Sequence, residues 1–473
     1  MASDDVFDVV VVGAGPVGET AARRAVQGGL SAAVVERRWV GGECNYYGCI
    51  PSKALLWPME LAAAVSRMPG IELAGPIDAA AVMARRDQFV GHYDDAPEVG
   101  WVEKLPATFV RGQGRLAGPR RVDVTTPEGQ VRALEARQAV VLATGSDPAV
   151  PDIPGLADAH PWTNREATSV TSVPRRLAVM GGGPVACEMS QALHALGTEE
   201  VTLLVREDHL LPRNEPIAGE LVGESFAESG IEIRFGRSAV HVERPKAGGT
   251  VVIDVDDGTR IEADEILVAA GRRPNTGDVG LETIGLEVAG PIDVDPTMAV
   301  TAVEGAWLYA VGDVNGRNLL THMGKYQARI CAAAIVARAN GPVEDEQVLG
   351  DVADDLGAPQ AVFTDPEVVA VGRTEAAARA EGFAVRVVER DIGAVAGAAL
   401  QADGYRGRAK MVVDEDRHVL LGVTFVGPGV VDLLHAATIA VTAAVPLDRL
   451  WHAVPAFPTT SEIWLDLLES YGL

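Results

Sequence analysis

Two cysteines stand five residues apart in Gly41-Gly42-Glu43-Cys44-Asn45-Tyr46-Tyr47-Gly48-Cys49-Ile50-Pro51-Ser52-Lys53. In a regular helix this spacing separates Cα atoms by about 8–9 Å, beyond the roughly 7 Å that a disulfide spans. A bridge therefore needs a distorted turn, which Gly48 permits. Pro51 lacks an amide hydrogen and is tolerated in a helix's first turn. Cys49 is thus expected near a helix N-terminus, where a thiolate is stabilised. A reducible pair of this kind is a redox centre; the alternative is two unrelated buried thiols. Cys187 and Cys331 fall in apolar helical stretches and read as inert core residues. There is no Cys-x-x-Cys pair and no His-Glu-x-x-His run, so no metal site is expected.

Such a centre needs elements to position it, and the chain supplies them twice. An apolar, β-branched stretch over Val6–Val12 reads as a buried parallel strand, followed by Gly13-Ala14-Gly15-Pro16-Val17-Gly18 and a helical pattern. Gly13, Gly15 and Gly18 suit a tight turn, close approach of backbone N–H groups to a pyrophosphate, and close helix packing. Glu36, ending the next strand, is placed to hold a ribose hydroxyl. A second copy begins 168 residues later with Gly181-Gly182-Gly183-Pro184-Val185-Ala186. Each copy closes on another short strand and a glycine turn, at Thr144-Gly145 and at Gly271. Two dinucleotide sites are therefore expected. In the second, Arg206 follows the strand tip where NAD sites carry a carboxylate. An Arg there suits the 2′-phosphate of NADP, with Arg213 a second phosphate partner, so NADPH is preferred to NADH. Glu207, which could reach a ribose, weakens that preference.

Prolines 148, 151 and 154 mark a boundary, and residues 105–138 alternate like an antiparallel meander. From about 350 the pattern becomes α+β, with strands near Ala361, Arg386, Lys410 and Gly422, helices near Thr374 and Val431, and a helical tail. The expected parts are a first dinucleotide-binding part (1–150), a second such domain (151–275), a return to the first (276–348) and a C-terminal domain (349–473). The fold class is α/β, with two Rossmann-like domains plus that α+β domain. The 473 residues carry 40 Lys and Arg against 66 Asp and Glu, a net charge of −26. That field disfavours nucleic acid and anionic membranes as partners. No apolar run reaches 18 residues, the start lacks signal-peptide features, and four cysteines make no extracellular framework, so a cytoplasmic location is expected.

These motifs resemble the class I flavoprotein disulfide reductases, the group of dihydrolipoamide dehydrogenase, glutathione reductase and mercuric reductase. The resemblance runs from about Val6 to the end, and the GGxCxxxxGCxPSK stretch is highly specific. It implies FAD at the first loop, with Gly13, Gly15, Gly18, Glu36, Gly42, Lys53, Thr144, Gly145 and His322 around it. Asp313, in a second FAD motif, would bond the ribityl chain. The nicotinamide nucleotide would lie on Gly181, Gly183, Arg206, Arg213 and Gly271. Cys49 would be the flavin-proximal thiol and Cys44 the interchange thiol, with Lys53 and Glu188 an ion pair beside the flavin. A homodimer formed through the C-terminal domain is also implied.

One departure matters. The family's C-terminal His-Pro-Thr-x-Ser-Glu supplies a base from the partner subunit, and here it reads Phe457-Pro458-Thr459-Thr460-Ser461-Glu462. Glu462, which would orient the imidazole, remains. A positioned acid–base group contributes about 10²–10⁴ in rate, so ordinary dithiol–disulfide exchange should suffer. Mercuric reductase also departs here but uses a C-terminal Cys pair, which this tail lacks. Tyr46 and Tyr47 are also atypical, and His452 could replace the lost base. The expected function is electron transfer from NAD(P)H through FAD and a Cys44–Cys49 disulfide to a small-molecule acceptor: a non-standard small disulfide, a quinone or a metal ion. The alternatives are a dihydrolipoamide dehydrogenase with a substitute base and a non-catalytic flavoprotein scaffold.

Overall fold

The computed structural model describes residues 5–343 and 349–473. The domain boundary expected at 348 lies outside the described residues. The chain forms two compact units, one comprising the chain up to Ile50, Val90–Pro148 and Arg272–Asp355, the other Pro51–Phe89, Ala149–Gly271 and Leu356–Leu473.

The first unit is built on strand β1 (Val6–Val12), whose β-branched residues suit a strand buried on both faces. It pairs in parallel with β2 (Ala32–Glu36) and with the long strand Val131–Leu142. Ala107–Arg111 extends the parallel set beyond β2, and Leu308–Ala310 pairs with the end of the long strand. The other end of Val131–Leu142 pairs antiparallel with Arg121–Thr125, and that strand with Gln113–Leu116, giving the expected meander.

Helix α1 (Pro16–Gln27) descends on the first glycine loop at a distance that side chains forbid. Gly13 has φ +106°, and a Cβ there would lie 2.3 Å from the Ala143 carbonyl oxygen. A Cβ on Gly18 would lie 1.9 Å from the Gly13 oxygen. Only glycine allows both.

The second unit repeats this logic in a four-stranded parallel sheet of Glu232–Phe235, Glu200–Val205, Arg176–Met180 and Glu265–Val268. Gly181 has φ +126° and presses on Ala269, as Gly13 does on Ala143. A separate five-stranded antiparallel sheet runs Gln360–Val362, Glu367–Gly372, Val419–Gly427, Arg408–Asp414, Val385–Asp391. Every residue of Val419–Gly427 is buried, and helices Leu434–Thr442 and Ile463–Tyr471 pack on this sheet. Thr374 caps the helix Glu375–Ala380, and Val431 lies in a short 3₁₀ turn leading into the next helix. The architecture is α/β, with two Rossmann-like domains and an α+β domain. Residues 51–89, expected within a continuous first part, bury Leu55, Leu56, Met59, Val82 and Met83 in the core formed by Leu177, Cys187 and Met189.

Glu19, in the first turn of α1, carries a carboxyl pushed up to about 7, first by burial and then by Glu98 and Glu36, with Lys325 opposing. Its folded value lies above the ordinary 4.5. Stability is therefore fully present below about 4.5 and falls as pH rises through about 7. Glu19→Gln should raise the unfolding temperature at pH 8, by the equivalent of up to about 3 kcal/mol, and change it little at pH 5. Equal shifts at both pH values would contradict this account.

Candidate active site

The dithiol turn is built by a broken helix. Helix α2 (Gly42–Tyr47) stops at Gly48, whose φ −126° and ψ −110° are non-helical, and α3 (Cys49–Ser66) starts at the next residue. A Cβ on Gly48 would sit 3.3 Å from Cys44 Cα and 3.2 Å from the Glu43 oxygen, so the break folds tightly back on Cys44. Both cysteines are thiols in this structure. The Cys44 thiol is held well above its ordinary range, first by a hydrogen bond with Cys49, then by burial and by charge on Cys49; the Thr321 hydroxyl works the other way. Cys49 Sγ lies 3.4 Å from Thr321 Oγ1, at the start of the helix Thr321–Asn340. Two helix N-termini thus meet at Cys49, a setting that favours a thiolate.

Aromatic rings brace α2. Trp39 meets Tyr46 edge-on at 4.7 Å, and Trp39, Tyr47 and Tyr93 lie at mutual centroid distances of 5.7–5.8 Å. Tyr46 is turned into the core, 2% exposed.

Around the first glycine loop the residues fit a dinucleotide such as FAD. A Cβ on Gly42 would come within 2.8 Å of Gly15 Cα, so backbone alone lines this crossing, beside the N-terminus of α1. The Glu36 carboxylate, at the tip of β2, accepts from Ala14 N at 2.8 Å and Arg38 N at 2.7 Å. Thr144 Oγ1 donates to the Asn275 carbonyl, and Asn275 N donates to the Gly145 carbonyl. Asp313 lies in the 3₁₀ turn Gly312–Asn315; its Oδ2 accepts from Ser146 Oγ at 2.5 Å and stands 3.7 Å from Arg272 Nε. His322 is exposed, one residue after Thr321. Thr321, Ser146 and Arg272 were missed from the sequence. Ser146 directly follows Thr144-Gly145 and could have been found, whereas Thr321 joins Cys49 only through the fold.

In the second unit Lys53 Nζ pairs with Glu188 Oε2 at 2.7 Å, and Glu188 Oε1 accepts from Phe363 N at 3.0 Å. Lys53 also lies 4.8 Å from the centre of the Phe363 ring. Gly183 caps the helix Pro184–Ala195 and Gly271 has φ +119°. Arg206 is mostly exposed and pairs with Glu207 at 3.0 Å, while Arg213 is exposed. Phe457 is 77% exposed, and Glu462 Oε2 is buried without a hydrogen-bond partner. His452 is exposed. Cys187 and Cys331 are wholly buried, which pushes both thiols up. Among the described residues no three His, Cys, Asp or Glu side chains group to hold a metal, and no helix is long and apolar enough to cross a membrane.

The pyridine nucleotide-disulphide oxidoreductase model matches residues 7–341, and the dimerisation domain of the same family matches 358–467. The chain belongs to this family. Its members depend on FAD and use pyridine nucleotides. A dihydrolipoyl dehydrogenase of Chlamydia muridarum is 31% identical over 98% of this chain and 96% of its own. A mercuric reductase of Shigella flexneri is 34% identical over 95% of this chain and 78% of its own. Among solved structures, LpdA from Mycobacterium tuberculosis superposes with a TM-score of 0.83 at 25% identity, covering 98% of this chain and 99% of that one. The chain is an oxidoreductase of the FAD-dependent disulfide type.

The break at Gly48 generates a prediction. Gly48→Ala should crowd Cys44 and make the disulfide harder to close, so a smaller fraction is oxidised at a fixed ratio of oxidised to reduced dithiothreitol. An unchanged fraction would mean that the turn does not govern the pairing.

Proposed function

We propose that this chain passes electrons from NAD(P)H, through FAD and a Cys44–Cys49 disulfide, to a small-molecule acceptor: a quinone or a metal ion, neither of which needs a proton-delivering base, or an unusual small disulfide. FAD, when bound, would supply the two-electron chemistry that links the nicotinamide's hydride to the dithiol. Gly13, Gly15, Gly18 and Gly42 would bare the backbone to its pyrophosphate, Glu36 would hold a ribose and Asp313 the ribityl chain. Lys53, fixed by Glu188, would supply a positive charge. A Cys44 thiol and a Cys49 thiolate together would give up two electrons and one proton when their disulfide re-forms. Cys49 holds the thiolate between two helix starts, and Cys44 faces the acceptor.

The observation that carries this reading is the exposed Phe457 at the family's base position, together with a Cys44 thiol that Cys49 and burial hold above its ordinary range. Nucleophilic attack on a disulfide needs the Cys44 thiolate, and no imidazole is supplied to make it. The buried, unpartnered Glu462 oxygen is what remains of the base's support. In a homodimer, Phe457 of each subunit would present an apolar wall to its partner's site. A dihydrolipoyl dehydrogenase with His452 as base is the second reading, favoured by the name of the Chlamydia relative. The intact dithiol speaks against a non-catalytic scaffold.

The test compares lipoamide with a soluble quinone as acceptor, in wild type and in Phe457→His, from pH 6 to 9. Wild-type lipoamide turnover should be low and climb about tenfold per pH unit as Cys44 ionises, because its raised value lies above this window. Phe457→His should raise that turnover by about 10²-fold or more and leave quinone turnover within about threefold. Fast wild-type lipoamide turnover, lost in His452→Ala, would establish the second reading instead. NADPH is the proposed donor, since Arg206 follows the strand tip where a 2′-phosphate would lie. Arg206→Ala should raise KM for NADPH about tenfold and leave that for NADH unchanged; equal changes would count against the assignment.

A further inference from the structure

The turn that carries Asp313 is fixed from behind by a buried chain of hydrogen bonds. Gln327, on the helix Thr321–Asn340, is wholly buried. Its Oε1 accepts from Gly312 N at 2.8 Å and from Asn315 Nδ2 at 2.9 Å, holding both ends of the turn. Its Nε2 donates to Asp354 Oδ2 at 3.2 Å. Asp354 thus decides which end of the amide faces the turn: a carboxylate accepts only, so the NH₂ must point to it and the oxygen to Gly312.

Asp354 is itself held. It accepts from Asn318 Nδ2 at 2.7 Å and from Arg317 Nη1 at 3.5 Å, and its backbone N–H donates to Asp351. Its side chain is only 8% exposed. The turn has little slack on its other side. Gly312 has φ +78°, and a Cβ there would meet Val17 of α1 at 3.3 Å. A Cβ on Gly324 would meet Val17 at 2.6 Å. A turn pinched between two helices is aimed by the hydrogen bonds at its ends.

We propose that Gln327 and Asp354 are positioning residues, which hold the Gly312–Asn315 turn so that the Asp313 carboxylate is presented to FAD. This rests on the role proposed for Asp313 above. Gln327 acts through the backbone of the turn, and Asp354 acts through Gln327.

The test is release of FAD from the holoenzyme, followed by the fluorescence of free flavin. Asp313→Ala serves as reference and should weaken retention. Gln327→Met, close in shape but without the amide, should weaken retention about tenfold. Gln327→Glu combined with Asp354→Asn moves the carboxylate across the pair and keeps the Gly312, Asn315 and Asn318 donors facing acceptors, giving up only the 3.5 Å contact from Arg317 Nη1. That double variant should retain FAD within about threefold of wild type. A merely structural loss of packing would not be rescued this way. Tight retention in Gln327→Met beside loss in Asp313→Ala overturns the positioning role. So does a double variant as weak as Gln327→Met, and the double variant decides the matter even where Gln327→Met does not fold. Unchanged retention in Asp313→Ala overturns the role of Asp313, and this inference with it.

Discussion

The hydrogen bond between Cys44 and Cys49 is the interaction on which the rest of the site depends. It exists because a helix that would carry residues five apart out of reach is interrupted at Gly48, and because that glycine packs directly on the Cys44 backbone. The two sulfurs sit in different surroundings: Cys49 lies beside helix starts and Thr321, and the Cys44 thiol is held above its ordinary range by Cys49 and by burial. Trp39 and Tyr93 pack against Tyr46 and Tyr47 of α2, beside the dithiol turn.

That difference has a consequence for chemistry. A pair in which the half-buried Cys44 thiol is held above its ordinary range is a good two-electron store and a poor nucleophile until a base arrives. In the proposed reading the chain leaves the base out: Phe457 is an exposed ring, and a buried Glu462 oxygen lacks the partner it would orient. Acceptors that take electrons without demanding a thiolate attack follow naturally. The family relationship sets the class of reaction, while these few residues bear on the choice of acceptor.

Much of the fold was legible because it rests on local constraints. The two glycine loops follow valine-rich strands, and their positive φ and missing Cβ atoms are needed at Gly13 and Gly181. The C-terminal strands near Ala361, Arg386, Lys410 and Gly422 fall where the valine content rises, and Val419–Gly427 is buried throughout. The placement of residues 51–89 did not follow, because α3 continues unbroken from the dithiol while its apolar face is claimed by a core assembled from residues more than a hundred positions away. Thr321 beside Cys49, and Gln327 behind Asp313, are likewise products of tertiary structure, with no spacing signal to reveal them. Arg206 and Glu207, neighbours in the sequence, pair with each other at 3.0 Å, and that contact does not choose between a 2′-phosphate and a ribose.

The central claim is that electrons reach an acceptor by way of this dithiol. Its most direct test is an anaerobic titration of the holoenzyme with NADPH, recording the visible spectrum and the alkylatable thiols together. The account predicts that the first equivalent opens the disulfide: two new thiols, counted after denaturation, appear at Cys44 and Cys49, while the flavin stays oxidised and gains long-wavelength absorbance. Bleaching of the flavin at the first equivalent, with no new thiols, would contradict it and place the acceptor's electrons on a path that bypasses the cysteines.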